Sequence, residues 1–253
     1  LRSRTFSNSA PTPARHLSPA LQFSFRIPGV RWPTISPLKD KDMGEYTDLI
    51  QTISLTLGVA WASGINLYAV VAVLGVGGAT GYIDLPDNLA IVQDPLIIVA
   101  AAFMYCVEFF ADKVPGVDSA WDSVHTFIRI PAGAMLAAGA VGNVDPAIAI
   151  AAGLTGGTLS AATHATKAGS RLLINTSPEP FSNFGASVAE DLAVFAGLWA
   201  ALANPMLFLA ALAVFLILVC LLLPKTALGI IAVFRRIGSW LGVRKTEPDL
   251  SAS

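Results

Sequence analysis

Charge is scarce in this chain. Asp, Glu, Lys and Arg together make up 13% of 253 residues, about half of what a soluble domain carries. Mean hydropathy is +0.64, and the stretch from Leu49 to Leu223 is almost entirely apolar and small residues. A soluble globular domain is excluded by this balance. Also missing is the period-two alternation of an outer-membrane barrel. Helices are therefore expected, because inside lipid every backbone polar group needs a partner within the chain. The net charge of −1 argues against nucleic-acid partners. There are only two cysteines, Cys106 and Cys220, both within apolar runs and without metal-ligand spacing. They read as packed free thiols. No GxSxG elbow, phosphate-binding loop or readable nucleophile–base pair occurs, so no catalytic residue and no cofactor is assigned.

At about 20 residues per crossing, the apolar part has room for about six helices. The expected fold is all-α, a polytopic membrane bundle. Its spans are read as Leu49–Val76, Pro95–Ala111, Pro131–Val141, Pro146–Lys167, Phe184–Ala203 and Met206–Leu223. The first carries a polar break, Ala62-Ser63-Gly64-Ile65-Asn66. Gly77–Asp94, with three Gly, three Asp and no Lys or Arg, reads as an exposed loop. Pro115-Gly116 marks a turn, and Asp118–Ile130 reads as an amphipathic helix. The third span is short and the fourth holds Gly153, Gly156 and Gly157, so this pair is either two crossings or a re-entrant helical hairpin.

Residues 1–42 are a different kind of sequence. They are rich in Ser, Pro and Arg and have no acid before Asp40. They read as an extension outside the fold, either a targeting segment or sequence upstream of a start at Met43. Residues 43–223 form the transmembrane domain. Residues 224–253 read as an amphipathic surface helix and tail, with Lys225, Arg235, Arg236, Arg244 and Lys245. That basic tail belongs on the cytoplasmic side. Counting six crossings back places the N-terminus there too.

The few charges inside the apolar region are the functional clue. Glu108 and Asp112 share a helix face. Asp118, Asp122, His125 and Arg129 fall on one stripe at i, i+4, i+7 and i+11. Arg129 is the first candidate partner for Glu108 and Lys113 the second. This cluster is read either as packing salt bridges or as an ion or headgroup site. Two carboxylates and an imidazole would also suit zinc or manganese, but the spacing matches no known motif and no metal ligand is assigned. His164, Lys167 and Arg171, at i, i+3 and i+7, form a cationic face suited to phosphate. Ordinary positive-inside anchoring is the plainer reading. Glu190 and Asp191 point about 100° apart on a helix, so only one can face Lys167 or Arg171.

The run Glu108-Phe109-Phe110-Ala111-Asp112-Lys113-Val114-Pro115-Gly116-Val117-Asp118, with Ala120-Trp121-Asp122 and His125-Thr126, resembles the DUF4126 family of bacterial membrane proteins. Ala62-Ser63-Gly64-Ile65-Asn66-Leu67-Tyr68 and Thr163-His164-Ala165-Thr166-Lys167 are similar to it as well. The resemblance covers Met43 to Leu223 and implies an integral membrane protein of the bacterial inner membrane, with no site residues to carry over.

The expectation is a small transporter or carrier for an anionic or lipid-linked substrate. Arg129, His164, Lys167 and Arg171 bind the ligand, and Glu108, Asp112, Asp122, Glu190 and Asp191 are coupling or ion-pair carboxylates. The expected partners are the bilayer, anionic lipid headgroups and a second copy of the chain. The alternatives are a non-transporting scaffold or complex subunit, and a metal-dependent enzyme acting on lipid.

Overall fold

The computed structural model describes residues 40–176 and 180–221. The N-terminal extension at residues 1–39 and the amphipathic surface helix and tail expected from residue 224 lie outside them. Within them the fold is all-α: α1 (Asp40–Ala79), α2 (Pro95–Ala111), α3 (Val117–Ala140), α4 (Pro146–Ile174), α5 (Pro180–Ala203) and α6 (Pro205–Leu221). Among the described residues, α1, α4 and α5 are long and apolar enough to cross a membrane. A short 3₁₀ helix (Asp87–Gln93), bent 66° from α2, forms with it a fourth candidate. By length and composition alone, with α1 counted once, this is a membrane-type helical bundle with three or four candidate spans among the described residues, against an expectation of about six.

Local signals explain the helix boundaries. Asp94 and Asp145 each accept a hydrogen bond from the backbone N–H two residues on, Leu96 and Ala147, at 2.8 Å. Pro95 and Pro146 follow at the first helical position, where a missing N–H costs nothing. Gly116, at φ 86°, makes the turn into α3, a backbone region that other residues enter only with strain.

The reading of the first span as one straight crossing is corrected. Asn66 interrupts α1 with extended backbone (φ −148°, ψ 94°). Asp48, Gln51, Thr52 and Leu55 from its first half line one cavity of about 630 Å³ with Tyr82–Asp87, which follow its second half. In a straight helix Thr52 and Tyr82 would stand roughly 45 Å apart at 1.5 Å per residue. α1 therefore doubles back at Asn66, and its two halves share an end of the bundle. The side chain of Asn66 caps the second half by accepting from Ala69 N at 3.0 Å. Both termini were placed on one side by counting α1 as a single crossing, and that count loses its basis.

Three further expectations change. The amphipathic segment and the third span are one continuous helix, α3, with Pro131 inside it. The second half of α3 lies against small residues of α4, and Ser160 Oγ donates to Arg129 O at 3.0 Å, two residues before the proline. Where the sequence leaves two crossings or a re-entrant hairpin open, the structure has two long helices joined at Gly142, and the chain folds back in α1 instead. Gly77–Asp94 is not simply an exposed loop, since Leu89 and Val92 of its 3₁₀ helix are buried against α1. Cys106 and Cys220 are exposed on the helix surface rather than packed inside.

Glycines set the helix spacing. A Cβ on Gly64 of α1 would stand 2.5 Å from Ser160 O of α4, and one on Gly133 of α3 would stand 2.6 Å from the Ser160 side chain. Close backbone approach of this kind is how helices associate where lipid offers no hydrophobic drive. Asn66→Ala removes the cap and the bond to Asp191 together. The expected loss is about 1 kcal/mol, typical of a helix cap, read as a lower unfolding midpoint in detergent. An unchanged midpoint would show that the break does not depend on its side chain.

Candidate functional site

The helix break at Asn66, the C-terminal ends of α2 and α4, the first half of α3 and the first half of α5 converge on one buried cluster of charges. α2, α3 and α4 each contribute from a single face. α2 brings Glu108, with Asp112 directly after it. α3 brings Asp118, Asp122, His125 and Arg129. α4 brings His164, Lys167 and Arg171, and α5 brings Asn183, Ser187, Glu190 and Asp191. The residues that sequence spacing placed on separate faces thus meet in one network.

Arg129 is fully buried. Its Nη2 lies 2.5 Å from Glu108 Oε1 and its Nη1 lies 2.9 Å from Asp122 Oδ1. The Nζ of Lys167 donates to Asp112 Oδ2 at 2.7 Å, to Glu108 Oε1 at 3.4 Å and to the Ile65 carbonyl at 3.1 Å. That last bond couples the network to the break. Where α1 stops, its final carbonyls lose their helical donors, and the lysine ammonium replaces one of them. Asp122 and Glu190 each lie 3.7 Å from the same nitrogen, so four carboxylates surround one ammonium. Arg171 donates to Glu190 through Nε (3.1 Å) and Nη2 (2.6 Å), a bidentate pair. Its Nη1 reaches Asn183 Oδ1 at 2.6 Å and the Asp112 carbonyl at 3.1 Å.

The two histidines are tied in at the edge. Arg129 Nη1 donates to His164 Nδ1 at 3.1 Å. Arginine has no acceptor, so His164 carries its proton on Nε2 alone and is neutral. Nε2 then donates to Thr126 Oγ1 at 2.7 Å, and Thr126 donates onward to Asp122 O at 3.0 Å. His125 donates from Nδ1 to Trp121 O at 2.8 Å, and its Nε2 shares a hydrogen bond with Tyr68 Oη at 3.0 Å. Burial pushes the His125 imidazole below its usual range, although the Trp121 carbonyl pulls the other way.

Glu190 and Asp191 divide as their helical offset requires. Glu190 faces Lys167 and Arg171. Asp191 accepts from Asn66 Nδ2 at 3.4 Å and stands 4.0 Å from Lys113 Nζ. Lys113, in the α2–α3 turn, lies 3.1 Å over the centre of the Phe109 ring and donates to Ser187 Oγ at 3.2 Å. Burial there lowers its pKa, opposed by Asp191. Sequence spacing offers Lys113 as the second partner of Glu108, where the structure sets it beside Asp191 instead, and it gives Asn66, Asn175 and Asn183 no role in the site. Asp118 accepts from Gly116 N and Ser119 N at the start of α3 and from Asn175 Nδ2 at 2.8 Å. It was legible on the α3 stripe. Asn175 and Asn183 flank the α4–α5 connection, and nothing in their neighbourhood distinguished them from loop residues.

Among the described residues no group of three or more His, Cys, Asp or Glu is arranged to hold a metal ion. Outside the network, an apolar groove of about 400 Å³ runs between α1, α2 and α3, lined by Leu67, Val71, Ala101, Met104 and Leu136, with Tyr68 at its edge. The model of a domain of unknown function, DUF4126, matches residues 53–225. No curated protein and no solved structure matches the chain.

Proposed function

The chain belongs to the DUF4126 family, and from that premise we propose that it is an ion-coupled membrane carrier for an anionic or lipid-linked substrate. The observation that carries this reading is the break of α1 at Asn66 inside a buried charge network, with Lys167 bound to the freed Ile65 carbonyl. Charged groups within apolar helices are costly and mark pathways and coupling sites. Interrupted helices at such groups are how carriers hold ions. Arg129, His164, Lys167 and Arg171 are the substrate face. At rest Glu108, Asp112, Asp122 and Glu190 occupy it, so an anion binds only when they yield. In this reading the end of the bundle with Lys113 and the α4–α5 connection faces the cytoplasm, following the basic tail beyond α6. The acidic end, with Asp84, Asp87 and Asp145, faces out, and the membrane is the bacterial inner membrane. Anionic headgroups and a second copy of the chain are its proposed partners.

The test uses the full chain in liposomes. Radiolabelled inorganic phosphate probes a free anion, and dodecyl phosphate as a competitor probes the lipid-linked form. Saturable uptake that falls at least tenfold in Arg171→Gln is the expected result. The absence of both uptake and competition would sink the reading.

A specific observation favours a second one. Every cation of the network already has carboxylate or carbonyl partners, which is also what a packing scaffold needs. A Glu108→Arg, Arg129→Glu exchange that restores stability in a chain without uptake of either probe would select the scaffold.

A further inference from the structure

The charges of the network do not balance. Six carboxylates, Glu108, Asp112, Asp118, Asp122, Glu190 and Asp191, meet four cations, Lys113, Arg129, Lys167 and Arg171. Asp191 is paired with Lys113 at the margin. Asp118 lies on the N-terminus of α3, where the helix dipole favours its charge, held by two backbone N–H groups and Asn175, with Arg171 Nη1 3.9 Å away. Glu108, Asp112, Asp122 and Glu190 remain, against Arg129, Lys167 and Arg171. One carboxylate is in excess, and His164 is neutral by its hydrogen bonds and cannot offset it.

A second observation shows where the excess lies. Glu108 Oε2, Asp112 Oδ1 and Asp122 Oδ2 are buried and have no hydrogen-bond partner among the described residues, as is also true of Asp191 Oδ2 at the margin and the Nε of Arg129. Glu108, Asp112 and Asp122 are themselves almost wholly buried, at 0%, 3% and 1% exposure. The other oxygen of each is engaged by Arg129 or Lys167. An ionised carboxylate with one oxygen bare in an apolar interior is among the most expensive groups a protein can bury. A proton on such an oxygen removes the excess charge and leaves the existing bonds to the other oxygen intact. Like-charged carboxylates sharing a site hold a proton between them for the same reason.

We infer that Glu108, Asp112 and Asp122 form a proton-binding site that holds one exchangeable proton at neutral pH. The groups facing it are Tyr68 from α1, Lys113 from the α2–α3 turn, His125 and Arg129 from α3, His164, Lys167 and Arg171 from α4, and Glu190 and Asp191 from α5. The site makes the proton the coupling ion of the proposed carrier. That role rests on the carrier reading, whereas the presence of the proton does not.

The test is infrared spectroscopy of the full chain in phosphatidylcholine nanodiscs, with no substrate added. At pH 7 the spectrum should contain the C=O band of a protonated carboxyl group, shifted in D₂O and lost as pH is raised. Glu108→Gln, Asp112→Asn and Asp122→Asn each bring the remaining charges into balance, so each should abolish the band. The three variants are isosteric, and the wild-type spectrum decides the question even if one of them fails to fold. Absence of the band in wild type at pH 7, or its survival in all three variants, overturns the site. A band abolished by NaCl but not by choline chloride overturns the proton assignment in favour of a metal cation. A proton band without phosphate or dodecyl phosphate transport would leave the site standing and remove only its role in a carrier.

Discussion

Arg129→Met costs about 3–5 kcal/mol of unfolding free energy, the range for stripping one partner from a buried ion pair. The size follows from what is left behind. Glu108 and Asp122 lose their guanidinium together, and His164 loses the donor to Nδ1. Arg129, Glu108 and Asp122 are at most 1% exposed, so bulk solvent does not offset the loss. Adding Glu108→Gln and Asp122→Asn to Arg129→Met should recover most of the loss, because removing a buried ion together with its partners is far milder than removing it alone. The effects of the three changes are then strongly non-additive, as expected for residues in one network. Urea or mixed-micelle unfolding of the wild type, Arg129→Met, the Glu108→Gln, Asp122→Asn double variant and the triple variant measures this. A single variant within about 1 kcal/mol of wild type, or a triple variant no better than the single, would show that the pairs do not hold the helices together.

The second large effect comes from helix contact rather than charge. Gly64→Ala should destabilise the protein by about 1–3 kcal/mol, the usual cost of overpacking. The added Cβ would meet Ser160 O at 2.5 Å, Thr163 Cβ at 2.7 Å and His164 N at 3.0 Å. Two of these are backbone atoms of α4 and cannot rotate away, so α1 itself must move. That displacement stretches the Lys167–Ile65 contact and loosens the network from the break. Gly185→Ala in α5 is the control. A Cβ there meets nothing within 4 Å, and alanine in an open helical position gains about 0.5–1 kcal/mol over glycine. Thermal unfolding of both variants in one detergent gives the comparison. Equal midpoints would remove the close α1–α4 approach as a determinant of stability.

Much of this protein follows from its sequence alone. Scarce charge and long apolar runs dictate a helical membrane protein, because lipid leaves the backbone no other way to satisfy its polar groups. Asp-Pro pairs at Asp94-Pro95 and Asp145-Pro146 locate two helix starts, since capping is local chemistry. Spacing also places Asp118, Asp122, His125 and Arg129 on one face of α3, and His164, Lys167 and Arg171 on one face of α4, because helical periodicity is a property of neighbours in sequence.

Tertiary structure alone decides which faces meet. The polar break at Asn66 was legible as an interruption. That the chain reverses there was not, because an extended residue between two apolar helices gives no direction to the second. The reversal is held by contacts far away in sequence, Lys167 to Ile65 and Asn66 to Asp191. Pro131 misled for the opposite reason. A proline usually ends a helix, but packing of Gly133 and Ala137 against α4 carries α3 through it. The balance of the site is likewise invisible one helix at a time. On α4 alone, His164, Lys167 and Arg171 read as an open cationic face. Only the assembled bundle brings carboxylates from α2, α3 and α5 onto that face and leaves one more carboxylate than the cations can match, because charge is summed over space rather than along the chain.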